Sequence, residues 1–282
     1  MSDHGHGHGD HDDAQPLTLE ERHEHEREFY DEWAVNEFSE APDDVLKVDG
    51  DVIPFPNQQH VDFLTYAIDQ IRPIEGKKVL EAGTGSGHLA TWFALNGADT
   101  TGFDVSPGIL EVAKRRAKVN GVDGQTRFIE GSAEFLDEPD DTYDVIFGNQ
   151  VAHHFDLALA GQNFERMLKP GGVAVFAEPI LFGPDWLRNL RHGKFVTRWI
   201  PSAHHTPDER SFTRGDLDDF TRAFAESDEV PFQLFGRIQN LVWWEISEKG
   251  WSRLERIDHF VLDRVPGLTP ISRFLVVTMR AG

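Results

Sequence analysis

The sequence predicts an α/β protein with a doubly wound, mostly parallel sheet and helices on both faces. Short segments that suit strands recur at Lys78–Glu81, Asp99–Asp104, Thr126–Glu130, Asp144–Gly148 and Gly172–Glu178. Segments that suit helices alternate with them, at His88–Leu95, Pro107–Asn120 and Leu157–Leu168. Because each helix carries the chain back to start a new strand, this alternation predicts parallel strands packed between two helical layers.

The first strand leads into a glycine-rich turn, in which Gly83, Gly85 and Gly87 occupy alternate positions. This G-x-G-x-G spacing differs from the G-x-G-x-x-G that seats a dinucleotide pyrophosphate. Alternate glycines permit positive φ values and let a ligand lie against the main chain. The helix that begins near His88 points free N–H groups at the same place. The turn, with Glu81 two residues before it, is therefore typical of a nucleotide-type site.

The second strand, which includes Thr100–Asp104, ends in a carboxylate. It lies about twenty residues after the glycine turn, where a carboxylate can accept the hydroxyl groups of a ribose. Taken alone, each feature could be an ordinary βα turn or a surface aspartate. Together they favour a ligand that contains an adenosyl group.

Val79–Ala90 with Asp104 resembles the class I S-adenosylmethionine-dependent methyltransferases. Within them it most resembles the methyltransferase type 11 branch of ubiquinone/menaquinone-type small-molecule enzymes. Leu168–Gly172, which reads L-K-P-G-G, is similar to the turn before the fifth strand of that branch. The resemblance covers roughly Lys77–Pro179. It implies a Rossmann-like, doubly wound sheet of seven strands, mostly parallel with an antiparallel last strand.

The resemblance also implies which residues bind the cofactor, S-adenosyl-L-methionine. These residues follow successive strands: Glu81, Gly83, Thr84, Gly85, Gly87, Asp104, Val105, Ser132, Ala133, Glu134 and Asn149. Glu134 stands where relatives usually have the aspartate that receives the adenine amino group. Asn149 stands where relatives contact the methionine part of the donor. No metal ligand is predicted among these residues.

Two adjacent histidines, His153 and His154, follow the fourth strand and resemble the paired histidines often found there. Since an imidazole titrates near neutral pH, either could be a general base for the acceptor. The alternative is structural, with one ring packed and the other bonded to a loop carbonyl. O-methylation is the favoured reaction, and C-methylation of an activated ring is close behind.

The regions outside the core predict additional cover for the site. Residues 1–17 form a His/Asp/Gly-rich tail expected to be disordered, residues 18–72 a helical cap, and residues 73–282 the methyltransferase domain. Thr18 and Glu21 suit a capping box at the start of a first helix that continues to Phe38. Phe29–Ala34 resembles the lid segment that precedes the core in related enzymes, and Gln58–Ile71 predicts a second helix.

Beyond the fifth strand the match weakens. Residues 180–214 predict a helical insertion over the acceptor side, within which His204 and His205 could supply a second base. The remaining elements predicted are a helix at Thr213–Phe224, a strand at Phe232–Ile246, a helix at Trp251–Leu262 and a strand at Ile271–Arg280. The two strands are expected to form an antiparallel hairpin beside the fifth.

The amino-acid composition limits the classes of molecule that the protein is expected to bind. A formal net charge of -22 opposes binding to nucleic acid or to an anionic membrane surface. The sequence has no cysteine and no apolar run long enough to span a membrane, which suits a cytoplasmic protein. We therefore expect a small-molecule acceptor, with a homodimer possible. A protein or peptide methyltransferase and a noncatalytic S-adenosylmethionine-binding protein stay open as alternatives, whereas the glycine spacing and Leu168–Gly172 oppose a nicotinamide-dependent dehydrogenase.

Overall fold

The computed structural model describes residues 17–54, 62–180, 212–235 and 248–282. Several predictions fall outside these ranges. They concern the His/Asp/Gly-rich tail, the start of the helix predicted at Gln58, the insertion after Ile180 with His204 and His205, and most of the strand predicted at Phe232–Ile246.

Seven strands form one sheet in the order β3-β2-β1-β4-β5-β7-β6. Their bounds are β1 Lys78–Ala82, β2 Asp99–Asp104, β3 Thr126–Glu130, β4 Tyr143–Asn149, β5 Leu168–Pro179, β6 Glu226–Phe232 and β7 Phe274–Arg280. The first five strands pair in parallel, and β7 runs antiparallel to both of its neighbours. The predicted fold class is therefore confirmed, including the single antiparallel strand.

Helices cover both faces of this sheet. Their bounds are α1 Leu19–Phe38, α2 Asp62–Ile71, α3 His88–Leu95, α4 Pro107–Val119, α5 Leu157–Met167, α6 Arg214–Thr221 and α7 Glu248–Leu262. Short 3₁₀ turns lie at Asp43–Leu46, Ala152–His154 and Pro266–Ile271. No helix within the described ranges combines the length and the hydropathy that a bilayer span requires.

The core has one apolar cluster on each face of the sheet. Leu80 and Ile146 face α5 and α6, whereas Val79 and Val145 face α2 and α3. Successive strand residues point to opposite faces, so strands buried on both sides are apolar at nearly every position. This explains why the strands near the middle of the sheet were predictable as continuous apolar runs.

The sixth strand differs from its prediction. It spans Glu226–Phe232, before the segment predicted at Phe232–Ile246. Its first half, Glu226–Glu229, is polar, and the strand pairs only with β7 at the edge of the sheet. An edge strand exposed to solvent needs no apolar pattern, so no periodic signal marks its position in the chain.

The Leu168–Gly172 segment also differs in detail. It belongs to β5. In the ladder with β4, Leu168 pairs with Tyr143, and the pairing resumes where Val173 pairs with Val145. The residues between bulge out of the ladder, and Gly171 has φ +74°. The segment is therefore a bulge within β5, and not a separate turn that precedes the strand.

Candidate active site

The three glycines of the β1–α3 turn meet different neighbours. A Cβ at Gly83 would lie 2.2 Å from Cγ2 of Val151, and one at Gly87 would lie 2.8 Å from Cβ of Ala113. A Cβ at Gly85 would have no described heavy atom within 4 Å, although its φ of +51° is left-handed. Gly83 and Gly87 thus allow close packing of the β4 loop and of α4. Gly85 presents bare backbone to open space, which suits a ligand.

Glu81 is buried at the end of β1, and its Oε2 accepts a hydrogen bond of 2.5 Å from Oγ1 of Thr84. Burial raises the pKa of Glu81 to about 8, and the nearby charge of Asp104 acts in the same direction. Thr84 in turn packs against Gly102 of β2, where a Cβ would lie 2.6 Å from its hydroxyl oxygen. Glu81 of β1 is therefore fixed by Thr84, which in turn packs against β2.

Asp104 and the glycine turn are joined directly. Oδ2 of Asp104 accepts the N–H of Gly85 at 3.0 Å, and Oδ1 accepts the N–H of Ser106 at 3.1 Å. Burial raises the pKa of Asp104 to about 6, although both backbone bonds stabilise the charged form. The side chain and the next residue, Val105, are half-buried at the carboxyl end of β2. The two motifs that the sequence analysis paired thus meet at one place.

The β3 loop contributes a buried carboxylate. Oε1 of Glu134 accepts the N–H of Asp156 at 2.6 Å, and Oε2 lies 3.5 Å from Nε2 of His23 on α1. Burial alone would raise the pKa of Glu134, but the nearby His23 imidazole and the Asp156 backbone N–H outweigh it and lower the pKa. Ser132 is half-buried and Ala133 is buried beside it.

Asn149 ends β4 with an unsatisfied polar atom. Its Oδ1 is buried and has no hydrogen-bond partner among the described residues. The next residue, Gln150, has a left-handed φ of +54°, which is uncommon for a residue with a side chain. A buried acceptor without a donor is unfavourable, so a donor group on a bound ligand would stabilise it.

His153 is paired with a residue that the sequence analysis did not single out. Its Nδ1 lies 2.9 Å from Oε2 of Glu178, and Glu178 is fully buried at the end of β5. Oε1 of Glu178 also accepts the N–H groups of Val151 and Ala152, both at 2.9 Å. One carboxylate therefore fixes both the histidine and the loop that carries it. The available signal was an acidic residue at the end of an apolar strand, as at Asp104.

His154 is paired with the N-terminal helix. Its Nδ1 lies 2.5 Å from Oε1 of Glu26 on α1, and its ring lies 4.2 Å from the ring of His153, measured between centroids. Arg22 of α1 donates to the main-chain oxygen of His154 at 3.4 Å. The adjacent histidines thus each present Nδ1 to a carboxylate, one from the sheet and one from α1.

The helix α1 crosses the strand ends that hold these residues. Thr18 and Glu21 form the predicted capping box at its start. Further along, Oδ1 of Asp31 accepts the hydroxyl of Ser106 at 2.6 Å and the N–H of Gly108 at 2.8 Å. These bonds attach α1 to the N-terminus of α4, where an anion is favoured by the helix dipole.

The site is rich in carboxylates that belong to different elements. Glu26, Glu81, Asp104, Glu134 and Glu178 all lie at or over the carboxyl ends of β1 to β5, where open α/β sheets bind their ligands. The bare backbone at Gly85, the carboxylate of Asp104 and the unpaired oxygen of Asn149 together suit a ligand with hydroxyl and ammonium donors and a positive charge. Within the described residues no cluster of His, Cys, Asp or Glu could hold a metal ion.

Comparison with known proteins agrees with this geometry. The profile of the family described as "Methyltransferase domain" matches residues 80–176, which run from β1 into β5. The match indicates a methyltransferase domain over these residues. S-adenosyl-L-methionine is the methyl donor of this family, and the donor set around Gly85, Asp104 and Asn149 fits its hydroxyls, ammonium and sulfonium charge.

Two curated relatives carry the sequence similarity. The ubiquinone biosynthesis O-methyltransferase of Azorhizobium caulinodans is 29% identical over 140 residues, which cover 49% of this chain and 54% of the relative. The demethylmenaquinone methyltransferase of Chlorobaculum tepidum is 35% identical over 115 residues, which cover 39% of this chain and 45% of the relative. The chain thus spans about half the length of these relatives.

A solved structure extends the similarity in fold. The phosphoethanolamine N-methyltransferase 2 of Haemonchus contortus, in complex with S-adenosyl-L-methionine, superposes with a TM-score of 0.54 at 14% identity. The superposition covers 94% of this chain and 57% of that protein. At this level of identity the likeness concerns the fold alone.

Proposed function

We propose that this protein is an S-adenosylmethionine-dependent methyltransferase that acts on a hydroxyl group of a small molecule. The observation that carries the proposal is the bond between the Gly85 N–H and Oδ2 of Asp104, at 3.0 Å. It unites the open glycine backbone with a carboxylate at the place where the methyltransferase fold receives its donor. The relatives named for ubiquinone and menaquinone enzymes support a small-molecule acceptor.

The donor-binding residues proposed are those at the carboxyl ends of β1 to β4. Asp104 accepts the ribose hydroxyls, Gly85 lies against the donor backbone, and Asn149 accepts from its ammonium group. The adenine side is bordered by Ser132, Ala133 and Glu134. Oε2 of Glu134 has no hydrogen-bond partner among the described residues, and His23 lies 3.5 Å from it. Glu81, with a pKa of about 8, is largely protonated at neutral pH and adds little charge. The remaining carboxylates, such as Asp104 and Glu134, favour a cationic donor and disfavour an anionic acceptor.

Of the two histidines, we assign the proton-accepting role to His154. His153 is 6% exposed and is fixed with Glu178, so it supports the loop. His154 is less enclosed and lies under α1, beside the loop that carries Asn149. With Nδ1 protonated and bonded to Glu26, its Nε2 would carry the lone pair that removes the acceptor proton.

The donor supplies an activated methyl group when bound, so the chain's own contribution is alignment, exclusion of water and acceptance of a proton. When bound, the donor would transfer its methyl group to the acceptor oxygen: the O–C bond would form as the S–C bond of the sulfonium breaks, and S-adenosylhomocysteine would be the leaving group. The acceptor proton would pass to Nε2 of His154. The imidazolium that forms is then balanced by the Glu26 carboxylate. No metal ligand and no redox group is needed for this balance.

The test begins with the donor. Calorimetric titration with S-adenosylmethionine, S-adenosylhomocysteine, NAD and NADP is expected to show binding of the first two only, and Asp104→Ala is expected to abolish it. A panel of phenols, catechols and aliphatic alcohols is then assayed for methyl transfer. Preference for a nicotinamide would overturn the donor assignment. Donor binding without turnover of any hydroxyl acceptor would overturn the O-methylation assignment and favour a carbon or peptide acceptor, or a noncatalytic protein.

A further inference from the structure

Glu26 comes from α1, whereas Glu81, Asp104, Glu134 and Glu178 belong to the strands of the sheet or to the loops that follow them. Glu26 is half-buried, its Oε1 lies 2.5 Å from Nδ1 of His154, and 128 residues separate the two in the chain. Its charge also reaches Asp104, where it contributes to raising the pKa of that carboxyl. Glu26 therefore contacts the histidine that we assign as the base and is close enough to influence the donor carboxylate electrostatically.

We infer that Glu26 is a positioning residue, through which the docking of α1 sets the tautomer of His154. This inference rests on the role of His154 in the proposed function. An ionised carboxylate can only accept hydrogen bonds, so a neutral imidazole beside it must carry its proton on Nδ1. The lone pair is then on Nε2, which is the atom available to the acceptor.

The same carboxylate would balance the charge that His154 gains on accepting a proton. A carboxylate that orients an imidazole and stabilises the imidazolium is a recurring arrangement in enzymes with a histidine base. Arg22 bonds the main-chain oxygen of His154, and the ring of His153, tilted by 39° and held by Glu178, lies 4.2 Å away between centroids. Glu26 is therefore the acid in direct contact with the His154 ring.

Docking of α1 does not depend on Glu26 alone. Asp31, one and a half turns further along the helix, bonds Ser106 and Gly108 at the start of α4. A base whose tautomer depends on a docked helix forms only when that helix covers the site. This would couple enclosure of the donor to the readiness of the base, and would limit proton uptake in an open site.

The His153–Glu178 pair provides an internal reference. It has the same contact, Nδ1 to a carboxylate oxygen, at 2.9 Å, but its acid belongs to β5 and not to α1. A change on α1 should therefore alter the tautomer of His154 and leave that of His153 unaffected.

The experiment is ¹⁵N NMR of the imidazole nitrogens in the full-length protein labelled at histidine, with His154 assigned from the signals lost in His154→Gln. In the wild type, both His153 and His154 are expected to be protonated at Nδ1. Glu26→Ala is expected to move His154 toward the Nε2-protonated tautomer, whereas Glu26→Gln keeps a carbonyl acceptor and retains Nδ1–H. Glu28→Ala, an exposed position on the same helix, is the matched control and leaves both rings unchanged.

A second variant separates positioning from folding. Asp31→Ala leaves Glu26 intact but weakens the attachment of α1, so it is expected to shift His154 in the same direction as Glu26→Ala. With an acceptor in hand, Glu26→Ala is expected to lower kcat about a hundredfold, the scale of a lost general base.

An unchanged His154 tautomer in folded Glu26→Ala, or Nε2–H in the wild type, would overturn the inference. Titration with S-adenosylhomocysteine is made on the same samples. Absence of binding there would instead overturn the proposed function while leaving the tautomer result intact.

Discussion

The carboxylate of Glu178 and the imidazole of His153 form a buried pair, with 2.9 Å between Oε2 and Nδ1. The same carboxylate accepts two backbone N–H groups of the loop that follows β4. Since that loop follows directly on Asn149 and carries His154, Glu178 helps to fix the shape of the acceptor side of the site without being near it in sequence.

Removal of this carboxylate should destabilise the protein. Glu178→Ala leaves two backbone N–H groups and the Nδ1 of His153 without their acceptor in a buried position. Each unsatisfied buried donor costs about 1–3 kcal/mol, so we expect the free energy of unfolding to fall by about 3 kcal/mol or more. Urea denaturation measures it. Glu226→Ala, on the exposed end of β6, is the control and should change stability by less than about 0.5 kcal/mol. Equal effects of the two substitutions would contradict the role assigned to Glu178.

Substitutions of the glycines in the β1–α3 turn should affect stability and donor binding to different extents. Gly85→Ala places a Cβ in open space, so we expect only the left-handed strain of about 1–2 kcal/mol, with loss of donor binding. Gly83→Ala adds a clash with Val151 to the same strain and should destabilise the fold further. Thermal unfolding and titration with S-adenosylhomocysteine measure the two effects.

Gly76→Ala is the matched control for this pair. Gly76 also has a left-handed φ, +74°, a Cβ added there would have no described heavy atom within 4 Å, and the residue precedes β1 away from the site. Its substitution should reproduce the strain of Gly85→Ala while preserving donor affinity. Intact donor binding in Gly85→Ala would refute the contact proposed at this residue.

Donor affinity should depend on pH through Asp104. Burial raises the pKa of this carboxyl to about 6, and only its ionised form can accept both ribose hydroxyls. The affinity for S-adenosylhomocysteine should therefore be constant above about pH 7 and fall about tenfold per pH unit well below pH 6. Calorimetry from pH 5 to pH 8 tests this. A flat profile through pH 6 would show that Asp104 does not hold the donor in its ionised form.

The raised pKa of Asp104 also affects the stability of the ligand-free protein. Here the contribution falls as pH rises, whereas donor affinity increases. A carboxyl whose pKa is higher in the folded state binds more protons there than in the unfolded chain. Its contribution to the free energy of unfolding therefore declines as pH rises from about 4 to about 6. The difference between wild type and Asp104→Asn, measured by urea denaturation across this range, should shift in favour of the variant as pH rises and then level off.

Asp31 should control the attachment of α1. Asp31→Ala removes the acceptor for Ser106 and for the Gly108 N–H, and losses at such helix N-termini are about 1 kcal/mol. We expect faster proteolysis within residues 19–38 and weaker donor binding, with the sheet intact by circular dichroism. Glu32→Ala, at the exposed neighbouring position, should match the wild type. Unchanged proteolysis in Asp31→Ala would show that other contacts dock the helix.

Much of the fold was predictable because its signals are local. The capping box at Thr18 fixed the start of α1, and β2 and β3 have the bounds predicted from the alternation of strands and helices. The glycine turn and Asp104 were also predictable as one site, because parallel strands bring their carboxyl ends to the same edge. The position of β6 was not, since an exposed edge strand of mostly polar residues has no distinctive pattern.

The sequence by itself determined the α/β class, the strand ends that carry the residues proposed to bind the donor, and the two adjacent histidines. Only the tertiary structure decided which residues the two histidines contact. The partners of His153 and His154 are Glu178 and Glu26, which lie 25 and 128 residues away along the chain. Neither pairing follows from periodicity or motif spacing, because both depend on where β5 and α1 come to lie against the β4 loop. Local rules place a side chain on an element, whereas its partner depends on packing between elements.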